Sequence, residues 1–194
     1  MSGAVRELRT VTTMLDDCGP TWTDPATLGG LYDRHYASVL RYCVHRLYVR
    51  AVTEDVTSEV FLEVVKRIGS FAGREETDFA NWLFAIATRR IHATVRKSRR
   101  RRELLAAAAR DGRLHPAASA PEPGRGLAWA ELYAAIATLS GRDQTLITLR
   151  SFEQLPFERI AVICGMKPTA ARVAYGRALG RLRERLTCND GRGS

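Results

Sequence analysis

Apolar residues recur at three- and four-residue spacing over most of this chain, and no alternation of period two runs long enough to make a convincing strand. Leu31, Tyr32, Tyr36, Val39, Leu40, Cys43, Val44 and Leu47 trace one stripe and predict a long amphipathic helix. A second helix is expected from about Thr53, a capping-type residue with Glu54 and Asp55 behind it, through Val56, Val60, Phe61, Val64 and Ile68. Gly69 to Gly73 break that pattern. A third helix is expected to start near Thr77 as its cap and to carry Phe79, Trp82, Leu83 and Ile86. Later, Leu127, Leu132, Ile136 and Leu139 form one stripe and Leu146, Ile147, Leu149 and Phe152 another, followed by a compact unit that ends near Leu186.

Between these clusters, residues 106–126 read AAAARDGRLHPAASAPEPGRG, with almost nothing large enough to build a core. That composition predicts a flexible linker whose first alanines extend the third helix. The expected organisation is a flexible extension over 1–24, a helical domain over 25–105, the linker, a second helical domain over 127–187 and a disordered tail over 188–194. The fold class is all-α: two small helical domains in a chain of 194 residues.

Residues 157–176 fit a helix-turn-helix, of the winged-helix-like DNA-binding kind. Ile160, Ala161 and Ile163 supply a packing face, Gly165 stands where the chain must turn with positive φ, and Pro168 suits a first helical turn. The second helix puts Ala171, Tyr175, Ala178 and Leu182 on one side. Lys167, Thr169, Arg172, Val173, Gly176 and Arg177 are left for solvent or a groove. The bland counterpart is a helical hairpin with a glycine turn.

Charge separates these readings. The chain carries 30 Lys and Arg against 21 Asp and Glu, a net charge of +9. From Thr88 to Arg102 there are eight cations and no acid: Arg89, Arg90, Arg96, Lys97, Arg99, Arg100, Arg101 and Arg102. Ile91 and Val95 continue the apolar stripe through this run, so one helix can pack on a core while presenting a positive field to a polyanion. Only three of the cations in the chain are lysines, so coding bias contributes to the arginine count.

Other classes of function find little support. No run of about 18 apolar residues could span a bilayer. The N-terminus lacks the apolar centre of an export signal, so the expected compartment is the cytoplasm. Cys18, Cys43, Cys164 and Cys188 are scattered without metal-ligand spacing, and Cys43 and Cys164 read as reduced core residues. His35, His45, His92 and His115 form no metal pair, and neither a phosphate loop nor a nucleophile elbow occurs. The reading is of a protein that is not an enzyme and needs no cofactor or metal.

Three segments of the first domain, LYDRHYASVLRYC, TEDVTSEVFLEVVKRI and FANWLFAIATRRIHATVRKSRRR, together resemble region 2 of the bacterial extracytoplasmic-function sigma factors. The carriers are Glu54, Asp55, Glu59 and Phe61, then Trp82, Leu83, Ile86, Ala87, Arg96 and Arg99. In the second domain, LSGRDQTLITLRSFEQLPFERIAVICGM and RALGRLRERL resemble region 4. The resemblance implies a promoter-specificity subunit of RNA polymerase with three partners: core polymerase, promoter DNA and an anti-sigma factor. It implies no membrane insertion and no small-molecule substrate. Asp55, Glu59 and Glu63 would dock on the polymerase clamp. Phe71, Asn81, Arg89, Arg90, Arg96 and Lys97 would meet the minus-ten element, with the loop around Phe71 to Glu76 capturing a flipped base. Lys167, Thr169, Arg172, Val173, Gly176 and Arg177 would meet the minus-thirty-five element.

The chain departs from the family pattern at Arg89, Ala93, Ser140, Gln144, Ala170 and Ala171, where Asn, Asp, Pro, Arg, Thr and Val are usual. With Ala174 and Gly176, these bear on which promoter is read. Two other functions fit parts of the sequence: a sigma-like decoy that titrates an anti-sigma factor, and a helix-turn-helix regulator that acts without polymerase.

Overall fold

A computed structural model describes residues 22–110 and 127–190. The expectations for 1–21, 111–126 and 191–194 therefore lie outside the described residues. Seven α-helices are described, and no strand occurs among the described residues: α1 (Pro25–Leu47), α2 (Arg50–Arg67), α3 (Glu76–Arg110), α4 (Leu127–Ala137), α5 (Gly141–Ile147), α6 (Phe157–Cys164) and α7 (Pro168–Asp190). A 3-10 turn at Ile68–Ser70 follows α2, and a π-type turn at Thr148–Phe152 follows α5.

Helix starts are set by side chains that the apolar pattern does not reveal. Asp24 accepts the Thr27 N–H at 2.9 Å and its hydroxyl at 3.0 Å, and Pro25 occupies the first helical position. Helix α1 thus begins six residues before Leu31, the first residue of its apolar stripe. Thr53 is not the cap of α2, which starts three residues earlier; it is buried in the first turn, its hydroxyl on the Val49 carbonyl at 2.9 Å. Thr77 does not cap α3 either. Asp78 reaches back to the Arg74 and Glu75 amides at 3.1 and 3.3 Å, which is the acidic half of a capping box. Ser140, at the position where the resemblance has Pro, accepts the Asp143 N–H at 3.1 Å and caps α5.

The helix-turn-helix has the expected form. Ile160, Ala161 and Ile163 are buried, and Gly165 closes α6 with φ 62°. The Met166 N–H bonds the Ala161 carbonyl at 2.9 Å, as a glycine-terminated helix end requires. Ala171, Ala178 and Leu182 of α7 face inward.

The two lobes share a core. Leu31, Val39 and Tyr42 of α1, Val56, Val60 and Val64 of α2, and Phe79, Leu83, Ile86 and Ile91 of α3 are continuous with Leu146, Leu149, Leu155, Ile160 and Ala171 of the second lobe. A smaller cluster of Ile136, Leu139, Ile147, Ala178 and Leu182 lies wholly within the second lobe. Helix α6 thus docks on α3, and the π-type turn docks on α1.

Polar bonds stitch this seam. Arg41 grips the almost fully buried Glu153 carboxylate at 3.1 and 2.5 Å, and that hydrogen bond pushes the Arg41 guanidinium further above its ordinary pKa. Arg159 donates to Asn81 Oδ1 at 2.7 Å, and the His92 imidazole meets Thr145 Oγ1 at 3.0 Å and the Gly141 carbonyl at 3.2 Å. Arg46, 3% exposed, donates to Gln144 Oε1 at 2.6 Å while its Nε has no partner.

Candidate nucleic-acid interface

Helix α3 leaves its core with a sharply one-sided surface. Arg89, Ala93, Arg96, Lys97 and Arg100 are exposed at three- and four-residue spacing, on the side opposite Ala87 and Ile91. Alanine at 93 removes a side chain from the middle of the stripe without adding an acid, so the field along this face is purely positive. Arg90 is turned aside toward α2. It donates to Glu63 at 2.8 Å, lies 3.7 Å from Glu59, and holds the Glu63 carboxyl below its ordinary pKa range. Arg67 pairs with the same Glu63.

The three acids expected to face polymerase are thus placed unequally. Asp55 and Glu59 lie open on α2, whereas Glu63 sits at its edge within the arginine pair. Leu62 and Val65, each 60% exposed, lie on the open side with Asp55 and Glu59. Two large apolar side chains in water beside two carboxylates make a surface suited to a protein partner rather than to DNA.

At the other end of α2 the chain turns through a nest of rings. Phe71 is half-buried, 4.9 Å from Trp82, 5.9 Å from Phe79 and 5.3 Å from Trp22, measured between ring centroids. The Trp22 indole N–H donates to the Gly73 carbonyl at 2.8 Å. Asn81, one turn into α3, is only 7% exposed and is the acceptor for Arg159. Of the residues expected to meet the minus-ten element, Arg89, Arg96 and Lys97 are open, and Phe71, Asn81 and Arg90 are engaged within the protein.

On α7, Thr169, Arg172, Val173, Gly176 and Arg177 are exposed, as is Lys167 in the preceding turn. Val173 is 53% exposed. The Arg172 guanidinium stands 5.3 Å from the Phe157 ring centre, with Arg150 at 5.0 Å from the same ring. The face offers few long donors, and the one nearest the helix start is already oriented by an aromatic ring.

No cluster of three metal-ligating side chains occurs among the described residues, and no helix among them is long and apolar enough to cross a membrane. Burial pushes the Cys43 and Cys164 thiols up to about 11, out of the reactive range.

Residues 31–101 match the family model of sigma-70 region 2, and residues 129–182 match that of sigma-70 region 4. The chain belongs to the sigma-70 family, in its extracytoplasmic-function branch. It is 32% identical over 166 residues to the ECF RNA polymerase sigma factor BldN of Streptomyces coelicolor, covering 84% of this chain and 61% of that protein. It therefore spans about three fifths of the length of that relative. RNA polymerase sigma factor CarQ of Myxococcus xanthus is 29% identical over 156 residues, which is 80% of this chain and 87% of CarQ. Among solved structures, the sigma factor RpoE of Bartonella quintana, crystallised with the anti-sigma factor NepR, has the same fold. Its TM-score is 0.59 at 22% identity, over 80% of this chain and 94% of that one.

Several residues of this sigma factor escape a reading of its sequence. Leu62 and Val65 could have been found, since they fall opposite the stripe of Val56, Val60 and Val64. Trp22, Arg46, Glu153 and Arg159 could not, because their partners lie 51 to 112 residues away.

Proposed function

We propose that the protein is a cytoplasmic promoter-specificity subunit that binds core RNA polymerase and directs initiation. The first lobe meets the minus-ten element and the second the minus-thirty-five element. The observation that carries this is the presence, in order on one chain, of both sigma regions with exposed surfaces that suit these partners: Asp55, Glu59, Leu62 and Val65 on α2, the arginine stripe on α3, and the exposed start of α7. Polymerase supplies the chemistry, and the protein supplies position and base contacts. Arg96 and Lys97 hold phosphates, and Arg172 reaches base edges. By analogy with the solved relatives, an anti-sigma factor is the expected regulator.

The closed arrangement is a resting form in this reading. The two promoter elements are separated by about 25 base pairs, or about 85 Å at about 3.4 Å per pair. In the closed form the first helix of the helix-turn-helix touches Asn81 itself.

The test is a pull-down with core polymerase followed by promoter-dependent run-off transcription. Tight binding and specific transcripts are expected, and Asp55→Arg with Glu59→Arg should abolish both while leaving helicity intact. Binding without transcription would point to a decoy. DNA binding without polymerase affinity would point to an independent regulator.

A further inference from the structure

Trp22 stands outside the residues that match either sigma region, yet it is built into the loop that joins α2 to α3. Its indole donates to the Gly73 carbonyl at 2.8 Å, across 51 residues of sequence. Its ring lies parallel to Phe79 at 5.9 Å and edge-on to Phe71 at 5.3 Å, while Trp82 also packs on Phe71 at 4.9 Å. Phe71 thus packs against both tryptophans.

The loop has no slack of its own around these rings. A Cβ on Gly73 would fall 2.2 Å from the Phe71 ring and 2.6 Å from the Asp78 side chain, so backbone and ring are in full contact. Asp78 fixes the Arg74 and Glu75 amides from the α3 side. Trp22 fixes the remaining carbonyl from the α1 side, and the Asp24 cap two residues later anchors Trp22 to the start of that helix.

We propose that Trp22 is a positioning residue for base recognition: it holds residues 71–75 in the shape that receives an unstacked minus-ten base. This rests on that loop being the reader of the minus-ten element. A flipped base is read against a rigid wall of ring faces and backbone polar groups. Here the wall's aromatic face and its Gly73 backbone are both held by Trp22. Freed from it, Phe71 can turn into the space the indole leaves, and the loop relaxes around Gly73.

The experiment reconstitutes holoenzyme from core polymerase with wild type, Trp22→Phe, Trp22→Ala or Phe71→Ala. Each transcribes a template pool of randomised upstream sequence, and the transcripts are sequenced. Trp22→Phe keeps a stacking ring and loses the donor. It should narrow the preference at one minus-ten position by about three- to tenfold, the range of one neutral hydrogen bond, with melting temperature and polymerase affinity close to wild type. Trp22→Ala should narrow it further at the same position, with the minus-thirty-five preference untouched in both.

If the Trp22 variants lower output from all templates in parallel, or leave base preference unchanged while Phe71→Ala alters it, Trp22 is only structural and the proposal fails. If Phe71→Ala also leaves the minus-ten preference intact, the loop is not the base reader, and the reading beneath the proposal fails with it.

Discussion

At position 46 a guanidinium lies 3% exposed near Tyr42, Tyr48 and Cys43, with no carboxylate paired to it among the described residues. Its strongest bond is to the neutral amide of Gln144, its Nε is unpartnered, and burial holds its pKa below the ordinary arginine value. Burying an ion without a counter-ion costs several kcal/mol even after relaxation, whereas a hydrogen bond from a charged donor returns about 1.5–3 kcal/mol. The Tyr48 hydroxyl beside it is also buried without a partner, on a residue whose φ is 62°. The seam is therefore costlier to hold closed than an apolar one of the same shape. Arg46→Met keeps the stem and removes the charge, so it should stabilise the closed form by about 1 kcal/mol and raise the melting temperature by about 2–4 °C. The same variant should bind core polymerase more weakly, because the lobes part less readily. A fall in melting temperature on calorimetry would show that the Gln144 bond outweighs the desolvation.

Helices α3 and α7 present cations in two different ways. On α3 the arginines stand in water at regular spacing, as phosphate-binding side chains do; on α7 Arg172 is drawn against Phe157, which fixes its direction before any base is met. Arg96→Ala with Lys97→Ala should weaken open-complex formation similarly on every promoter and reduce the salt slope by about one for each phosphate no longer neutralised. Arg172→Ala should cost about 1–3 kcal/mol, concentrated at one minus-thirty-five base, when run-off is compared across single-base variants. The helices themselves were legible in the sequence because burial repeats with their turn: Val56, Val60 and Val64 are all inward, and Gly165 turns where a left-handed residue was needed. Their starts were less so. Thr53 and Thr77 have capping side chains, but α2 starts after Val49 with no side-chain cap and Asp78 makes the bonds at the start of α3, and only the path of the backbone decides this. The open α3 cations could be read from spacing; the engagement of Asn81 and Arg90 could not, since Arg159 and Glu63 reach them from other helices.

For the molecule as a whole, closure covers the two surfaces proposed to face DNA unequally: Asn81 is held by Arg159 while the start of α7 stays in water. His92 links this state to pH. Burial first, then Arg46 from α1 and Arg96 on its own helix, lower its pKa from 6.5, and the Gly141 carbonyl of α5 only partly offsets them. Thr145, which also faces the ring from α5, is uncharged. The closed form thus favours the neutral imidazole. Its stability is fully present above about pH 6.5 and falls as the pH drops through the lowered value. Energy transfer between a dye on each lobe should therefore decline on acidification below that point, and His92→Gln should flatten the decline. The bond between Arg46 and Gln144 has a consequence for lineage. Position 144 is where the family resemblance has arginine, and an arginine there would set two guanidiniums face to face in the seam. The halves of this chain are matched at this bond. A hybrid that grafts a relative's second half onto this first half should stand open from the start, on through the loss of one amide rather than through any gain of promoter affinity.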